Sequence, residues 1–233
     1  MEFTKVIYIH KIKSRKRDHR LFVKFLWSVL VIDLLGNYAG LAYFDNYELF
    51  GFLEGTPFVR NIWYYNIVEV YFIGFYTYIL RRQLSGPKIK NLIKWFAFIY
   101  VFLAVLNMFF FGNLFEGDLI LNDMAGAFLI VLSVFAYFYE MMLSDKVLSF
   151  YKSLFFYVAI GVSISYLTII PINIYDDFIT QQNEVFLEVF YTVVRYANIF
   201  MYSMFTLGFI MDYRYRRSES ANIETNQYNE IIS

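Results

Sequence analysis

Cysteine is absent from the 233 residues, and histidine occurs only twice, at His10 and His19. Without cysteine there is no disulfide, no thiolate nucleophile and no cysteine-ligated metal. Both histidines lie in a basic N-terminal run. No imidazole therefore serves the apolar part of the chain, either as a metal ligand or as a general base near neutral pH. Charge is scarce too: charged residues make up 17% of the chain, against about 25% in ordinary soluble domains. There is no Walker loop, no Rossmann fingerprint and no H-E-x-x-H, and "GVSIS" at Gly161–Ser165 misses the G-x-S-x-G nucleophile pattern. The last apolar run offers no lysine for a retinal Schiff base. These absences set the expectation of a non-enzymatic protein with no cofactor and no metal ion.

Hydrophobic residues are abundant, at 59%, and they fall in runs of about twenty, the length a helix needs to cross a bilayer core. The expected class is an all-α polytopic integral membrane protein. Aromatic residues reach 23%, with 28 Phe and 22 Tyr beside only 3 Pro, a bias that an AT-rich coding sequence accounts for without a ligand-facing aromatic cavity.

Six spans emerge, at about 21–43, 62–80, 92–111, 119–143, 150–172 and 185–211. A basic segment, 1–20, precedes them and a polar tail, 212–233, follows. Of the 20 basic residues, Arg60 alone lies in the connections after spans one, three and five, and Arg195 alone lies deep within a span. The rest flank the alternate connections and the two ends. Positive charge stays on the cytoplasmic side, so a six-helix bundle with both termini in the cytoplasm is expected, in the cell (cytoplasmic) membrane. "MEFTKVIYI" precedes its basic run and lacks a small-residue cleavage site, so it reads as an interfacial segment instead of a signal peptide. The tail from Ser218 is polar enough to be disordered. Lys11, Lys13, Arg15, Lys16, Arg17, Arg81, Arg82, Lys88 and Lys90 are placed to meet anionic lipid headgroups. Beside a span, such a run is a topology signal first, and a nucleic-acid partner is not expected. A cytoplasmic protein partner and self-association both remain open.

The sharpest signal is on the sixth span. Glu188, Tyr191, Arg195, Asn198 and Tyr202 are separated by three or four residues and share one helix face. Lipid cannot satisfy such a stripe, so it is expected to face the bundle or a water-filled cavity. Arg195 keeps its charge and needs a counter-charge. Glu69 on span two and Asp33 on span one lie within roughly 5 Å of its depth at 1.5 Å per residue. Asn66 continues the face of Glu69, and Asn37 that of Asp33. The expectation is a buried acid–base cluster of Arg195, Glu69, Asp33, Asn66, Asn37, Tyr191, Asn198 and Glu188. One arginine neutralises one carboxylate; the other would hold a proton or bind a cation.

Weaker stripes read as packing: Gly126, Ser133, Tyr137 and Glu140 on span four, Tyr157, Gly161, Ser165 and Thr168 on span five, and Tyr100 with Asn107 on span three. Gly36 and Gly40 form a G-x-x-x-G contact, Glu140 reads as solvated, and Pro171 as a kink or terminus. Asp33-x-x-Gly36 and Asp123-x-x-Gly126 match only at chance level, so no inverted repeat is inferred. Three functions fit: a receptor-like or regulatory module, a proton- or cation-coupled small-solute transporter or channel, and a structural subunit of a membrane complex. The first is preferred because catalytic groups are missing.

Overall fold

A computed structural model describes the backbone of residues 2–111, 114–115, 117, 119–144, 149–178 and 184–232, and the side chains of 17–110, 114–115, 117, 119–144, 149–169 and 188–217. The fold is all-helical, 87% helix with no strand among the described residues. Among the described residues seven α-helices follow one another: α1 (Glu2–Gly36), α2 (Tyr38–Phe44), α3 (Ile62–Gln83), α4 (Pro87–Leu106), α5 (Ile120–Met142), α6 (Leu154–Phe178) and α7 (Glu184–Ile232). Among the described residues four segments are long and apolar enough to cross a membrane: Arg17–Phe44, Pro87–Phe110, Ile120–Met142 and Glu188–Arg217. The described apolar stretch of α6, Leu154–Ile169, is shorter. Asn66, Glu69 and several tyrosines make α3 more polar than these.

Three boundaries differ from expectation. α1 begins at Glu2 and runs unbroken through the basic segment into the first apolar run. α7 carries on through the polar tail to Ile232, where disorder was expected. Lengthening an existing helix avoids the cost of nucleation, and the tail contains neither Gly nor Pro. Pro171 does not end α6, which extends to Phe178.

The chain forms two compact units, Met1–Arg82 with Asn91–Gly126, and Gln83–Lys90 with Ala127–Ser233. In the first, Phe22, Phe25 and Val29 recur every three or four residues along α1 and are buried, as are Ile73, Tyr76, Ile79 and Leu80 of α3. Phe25 stacks on Phe75 at 3.8 Å with the rings 2° from parallel, and meets Tyr76 edge-on at 5.1 Å. Below this aromatic seam, Arg82 reaches buried Asp18 through Nε at 2.7 Å and a terminal nitrogen at 2.5 Å. Burial alone would lower the arginine's pKa. The hydrogen bonds to Asp18 and Tyr78, with the Asp18 charge, outweigh it and hold the group above its ordinary range. Arg82 is thus engaged inside the protein, and is less free for lipid than its sequence position implied.

In the second unit α6 and α7 pack along a seam of small residues. A Cβ at Gly161 would lie 3.1 Å from Met204 Cβ and 3.2 Å from the Met201 carbonyl; one at Gly208 would lie 3.0 Å from Tyr157 Cβ. Ser165 Oγ donates to the Ala197 carbonyl at 2.9 Å, so the two backbones meet closely enough for a side chain to bridge them. Glu140 is not merely solvated: its carboxylate accepts from the Ser85 amide and, at 2.9 Å, from the Gly86 amide. Those amides lie just ahead of Pro87, the first residue of α4, where backbone N–H groups lack partners within the helix.

Candidate functional site: a carboxylate and phenol cluster in the first unit

The first unit is most irregular at the end where α1 stops. Gly36 is buried, and a Cβ there would lie 2.8 Å from Tyr65 Cζ, so the bare glycine makes room for the Tyr65 ring as it is placed. The chain breaks at Asn37 and restarts as α2. Three side chains add donors to carbonyls around this break, and one of these carbonyls, that of Asp33, also keeps its backbone partner, the Asn37 amide at 3.3 Å. Tyr64 donates to the Ile32 carbonyl (2.9 Å), Asn37 to that of Asp33 (2.8 Å) and Asn61 to that of Gly36 (2.8 Å). The Tyr38 hydroxyl accepts from Trp63 Nε1 at 2.9 Å and lies within bonding distance of the Phe58 and Arg60 carbonyls.

Two asparagines close the α4–α5 side. Buried Asn66 donates to the carbonyls of Leu114 (3.1 Å) and Gly117 (3.0 Å) and accepts from the Leu119 amide (3.3 Å). α4 loosens at its end into a wider turn, Asn107–Phe111, with π-type hydrogen bonding. Asn107 donates to Asn122 Oδ1 at 3.0 Å, and Asn122 donates to the Ala104 carbonyl at 3.3 Å. Such wide turns within helices are frequent at functional sites.

Beside these clasps, three helices bring ionisable groups together. On α5, Gly126 sits against Ile73 of α3, and its missing Cβ would lie 2.9 Å from the Tyr100 hydroxyl of α4. Glu69 is one turn before Ile73, and Asp123 one turn before Gly126. The charges of Glu69 and Asp123 both act on the Tyr100 hydroxyl. Tyr100 is 6% exposed, and its hydroxyl makes no hydrogen bond among the described residues. Two acids and an enclosed phenol thus converge between α3, α4 and α5. Oxygen donors of this kind suit a proton or a hard cation.

The residues expected from sequence distribute as follows. Glu69 belongs to this cluster. Asn66 and Asn37 are backbone clasps, and Asp33 is exposed beside Tyr64 and Tyr65. Arg195, Glu188, Tyr191 and Asn198 belong to the second unit. There α7 meets α6 through Ala197, Met201, Phe205 and Gly208, all buried, while Glu188, Tyr191, Arg195 and Tyr202 are exposed and Asn198 is half-buried. The polar stripe therefore lies off the α6 seam: small residues allow close backbone approach, whereas the guanidinium finds no carboxylate among the described residues of its own unit. The side chains of Lys11, Lys13, Arg15 and Lys16 lie outside the described residues.

Asp123 and Asn122 were missed as site residues. The available signal was Asp123-x-x-Gly126, a carboxylate and a contact glycine one turn apart on one face. No protein-family model matches the chain, nor does any curated protein or solved structure.

Proposed function

We propose that the chain crosses the membrane six times, at about 21–43, 62–80, 92–111, 119–143, 150–172 and 185–211, with both termini cytoplasmic, and acts as a non-enzymatic receptor-like or regulatory module. A proton, ion or small ligand engages the cluster of Glu69, Tyr100 and Asp123, and the cytoplasmic face passes the occupied state to a protein partner. The convergence of two acids and an enclosed phenol at one end of the first unit is the observation that carries this reading. Ionisable groups within membrane segments are costly and mark functional sites. The connections at that end, 44–61 and 112–118, are acidic apart from Arg60, which supports its outer placement.

Because the chain has no cysteine, single cysteines report topology cleanly. Thr56→Cys is expected to react with a membrane-impermeant maleimide in intact cells, and Ser85→Cys and Ser149→Cys only after permeabilisation. Labelling of Ser85→Cys from outside would reverse the orientation. A second reading, coupled transport, draws support from the interrupted helices at the same end: the break at Asn37 and the wide turn at Asn107–Phe111. Proteoliposomes with a trapped pH dye and an imposed gradient separate the two. The regulatory reading expects no flux above that of empty vesicles. Proton flux abolished by Glu69→Gln would replace it with transport.

A further inference from the structure

We propose that Arg195 is a lipid anchor, its guanidinium binding the phosphate of a phospholipid headgroup in the leaflet at the N-terminal end of α7. That leaflet is the outer one in the topology proposed above. A reversed orientation would change the leaflet and leave the contact in place, which requires only that α7 crosses the bilayer. Arg195 is exposed, and the ion pairs among the described residues, Asp18 with Arg82 and Asp212 with Arg216, leave it out. Deep in hydrocarbon an unpaired guanidinium is costly, whereas near the end of a span a long basic side chain reaches the headgroups. The depth of Arg195 therefore decides its partner.

Depth follows from the surface of α7 itself. Toward its C-terminal side the apolar run stops at Asp212, which is buried and paired with Arg216 at 2.6 Å, and Arg214 and Arg217 beside it are exposed. At 1.5 Å per residue, Arg195 and Arg214 stand about 29 Å apart, against a hydrocarbon thickness of about 30 Å. Between them Ile199, Phe200, Leu207 and Ile210 are exposed, and exposed tyrosines bracket this apolar band, Tyr191 and Tyr196 at one end and Tyr213 at the other. Tyrosines gather at both membrane–water interfaces. The sixth span, 185–211, is about 40 Å long, enough to cover headgroups as well as hydrocarbon. The hydrocarbon fits between Arg195 and Arg214, so Arg195 stands at its boundary and not near its middle. Side chains of a helix lead back toward its N-terminus, which carries the guanidinium of Arg195 further out, to phosphate level. There its N–H fork matches two phosphate oxygens. Glu188, also exposed, lies about 10 Å beyond Arg195 along the helix, at a depth where a carboxylate is hydrated. The polar stripe of α7 can thus lie off the α6 seam without meeting a carboxylate.

Two measurements on the full chain test this. With no cysteine elsewhere, a single nitroxide can be attached at Val189→Cys or at Ile199→Cys, both exposed positions. In phosphatidylcholine nanodiscs, collisions with oxygen and with a polar nickel chelate report its depth. The chelate is expected to reach the label at Val189, and the label at Ile199 should sit about 6 Å inside the hydrocarbon. If the hydrocarbon instead begins at 185, both labels lie about 15 Å deeper and the chelate misses Val189, which would overturn the placement. Arg195 stays in place throughout, so this result does not depend on the folding of an Arg195 variant. The second measurement is thermal unfolding in maltoside micelles. Added diacyl phosphatidylcholine should raise the parent's Tm, with a smaller rise in Arg195→Gln and most of the rise kept in Arg195→Lys. Inorganic phosphate should not reproduce the part that depends on Arg195. Equal rises in parent and Arg195→Gln would overturn the lipid contact, and an Arg195-dependent rise with inorganic phosphate would replace the lipid by a soluble anion. A large loss of stability in Arg195→Gln before any phospholipid is added would mean that the guanidinium is paired within the protein, and would overturn the proposal.

Discussion

Asn66→Ala provides the most direct test of how the irregular end of the first unit is held. The amide makes three hydrogen bonds to the backbone of the α4–α5 connection, at 3.0, 3.1 and 3.3 Å. Asn66, Leu114 and Leu119 are all buried, so two of the three backbone partners have little access to water once the amide is gone. A hydrogen bond contributes about 0.5–1.5 kcal/mol net, and a buried partner left unsatisfied costs about 1–3 kcal/mol. Gly117 is only half-buried and can recover a water. The expected loss is therefore about 2–4 kcal/mol, taking one bond at the lower figure and two nearer the unsatisfied cost. Asn66→Asp sharpens the test. The carboxylate keeps the acceptor facing the Leu119 amide but turns negative oxygen toward the Leu114 and Gly117 carbonyls. It should be at least as damaging as alanine. Reversible unfolding in mixed micelles, followed by tryptophan fluorescence, measures both. If Asn66→Ala lies within about 0.5 kcal/mol of the parent, the range of ordinary surface changes, the clasp is not structural. If Asn66→Asp is the more stable variant, the donor assignment is wrong.

Asp18→Asn should destabilise by about 3–5 kcal/mol, since it strands a largely buried guanidinium, and pairing Asp18→Leu with Arg82→Met should recover most of that loss in the same unfolding assay. Gly208→Ala should cost about 1–3 kcal/mol by forcing Leu154 and Tyr157 away from α7, with a smaller loss at Gly161, where the contacts are looser. Glu140→Gln keeps one acceptor for the Ser85 and Gly86 amides but loses the charge. It should cost about 1 kcal/mol, with increased proteolysis of the α3–α4 connection as the local readout.

The all-helical class and its long apolar helices were legible in the sequence because hydrophobic length acts over a whole helix. The small residues of α6 were readable for the same reason: Gly161 and Ser165 repeat at helical spacing, and they do line the α7 contact. Polar side chains were harder to assign. Asn66 and Asn37 share faces with Glu69 and Asp33, but their amides bond backbone carbonyls, Asn66 those of the α4–α5 connection and Asn37 that of Asp33, a use that sequence spacing does not display. Glu140 looked solvated because its partners, the Ser85 and Gly86 amides, are 55 and 54 residues away in sequence. Asp123 entered the sequence reading only through a chance-level Asp-x-x-Gly match to Asp33. What the spacing does not display is that Gly126, one turn on, packs against Ile73 of α3 and Tyr100 of α4.

This division of labour among polar groups carries its own prediction. At the irregular end, the clasps are neutral: Asn37, Asn61, Asn66, Asn107, Asn122, Tyr38 and Tyr64 satisfy the loosened backbone without ionised groups. The ion pair that fastens α1 to α3, Asp18 with Arg82, stands at the opposite end. The stability lost in Asn66→Ala should therefore be the same at low and high salt, because neutral hydrogen bonds carry no ionic term, whereas the loss in Asp18→Asn should shrink as salt screens the pair. A loss in Asn66→Ala that changes with salt would mean that a charged group shares the clasp.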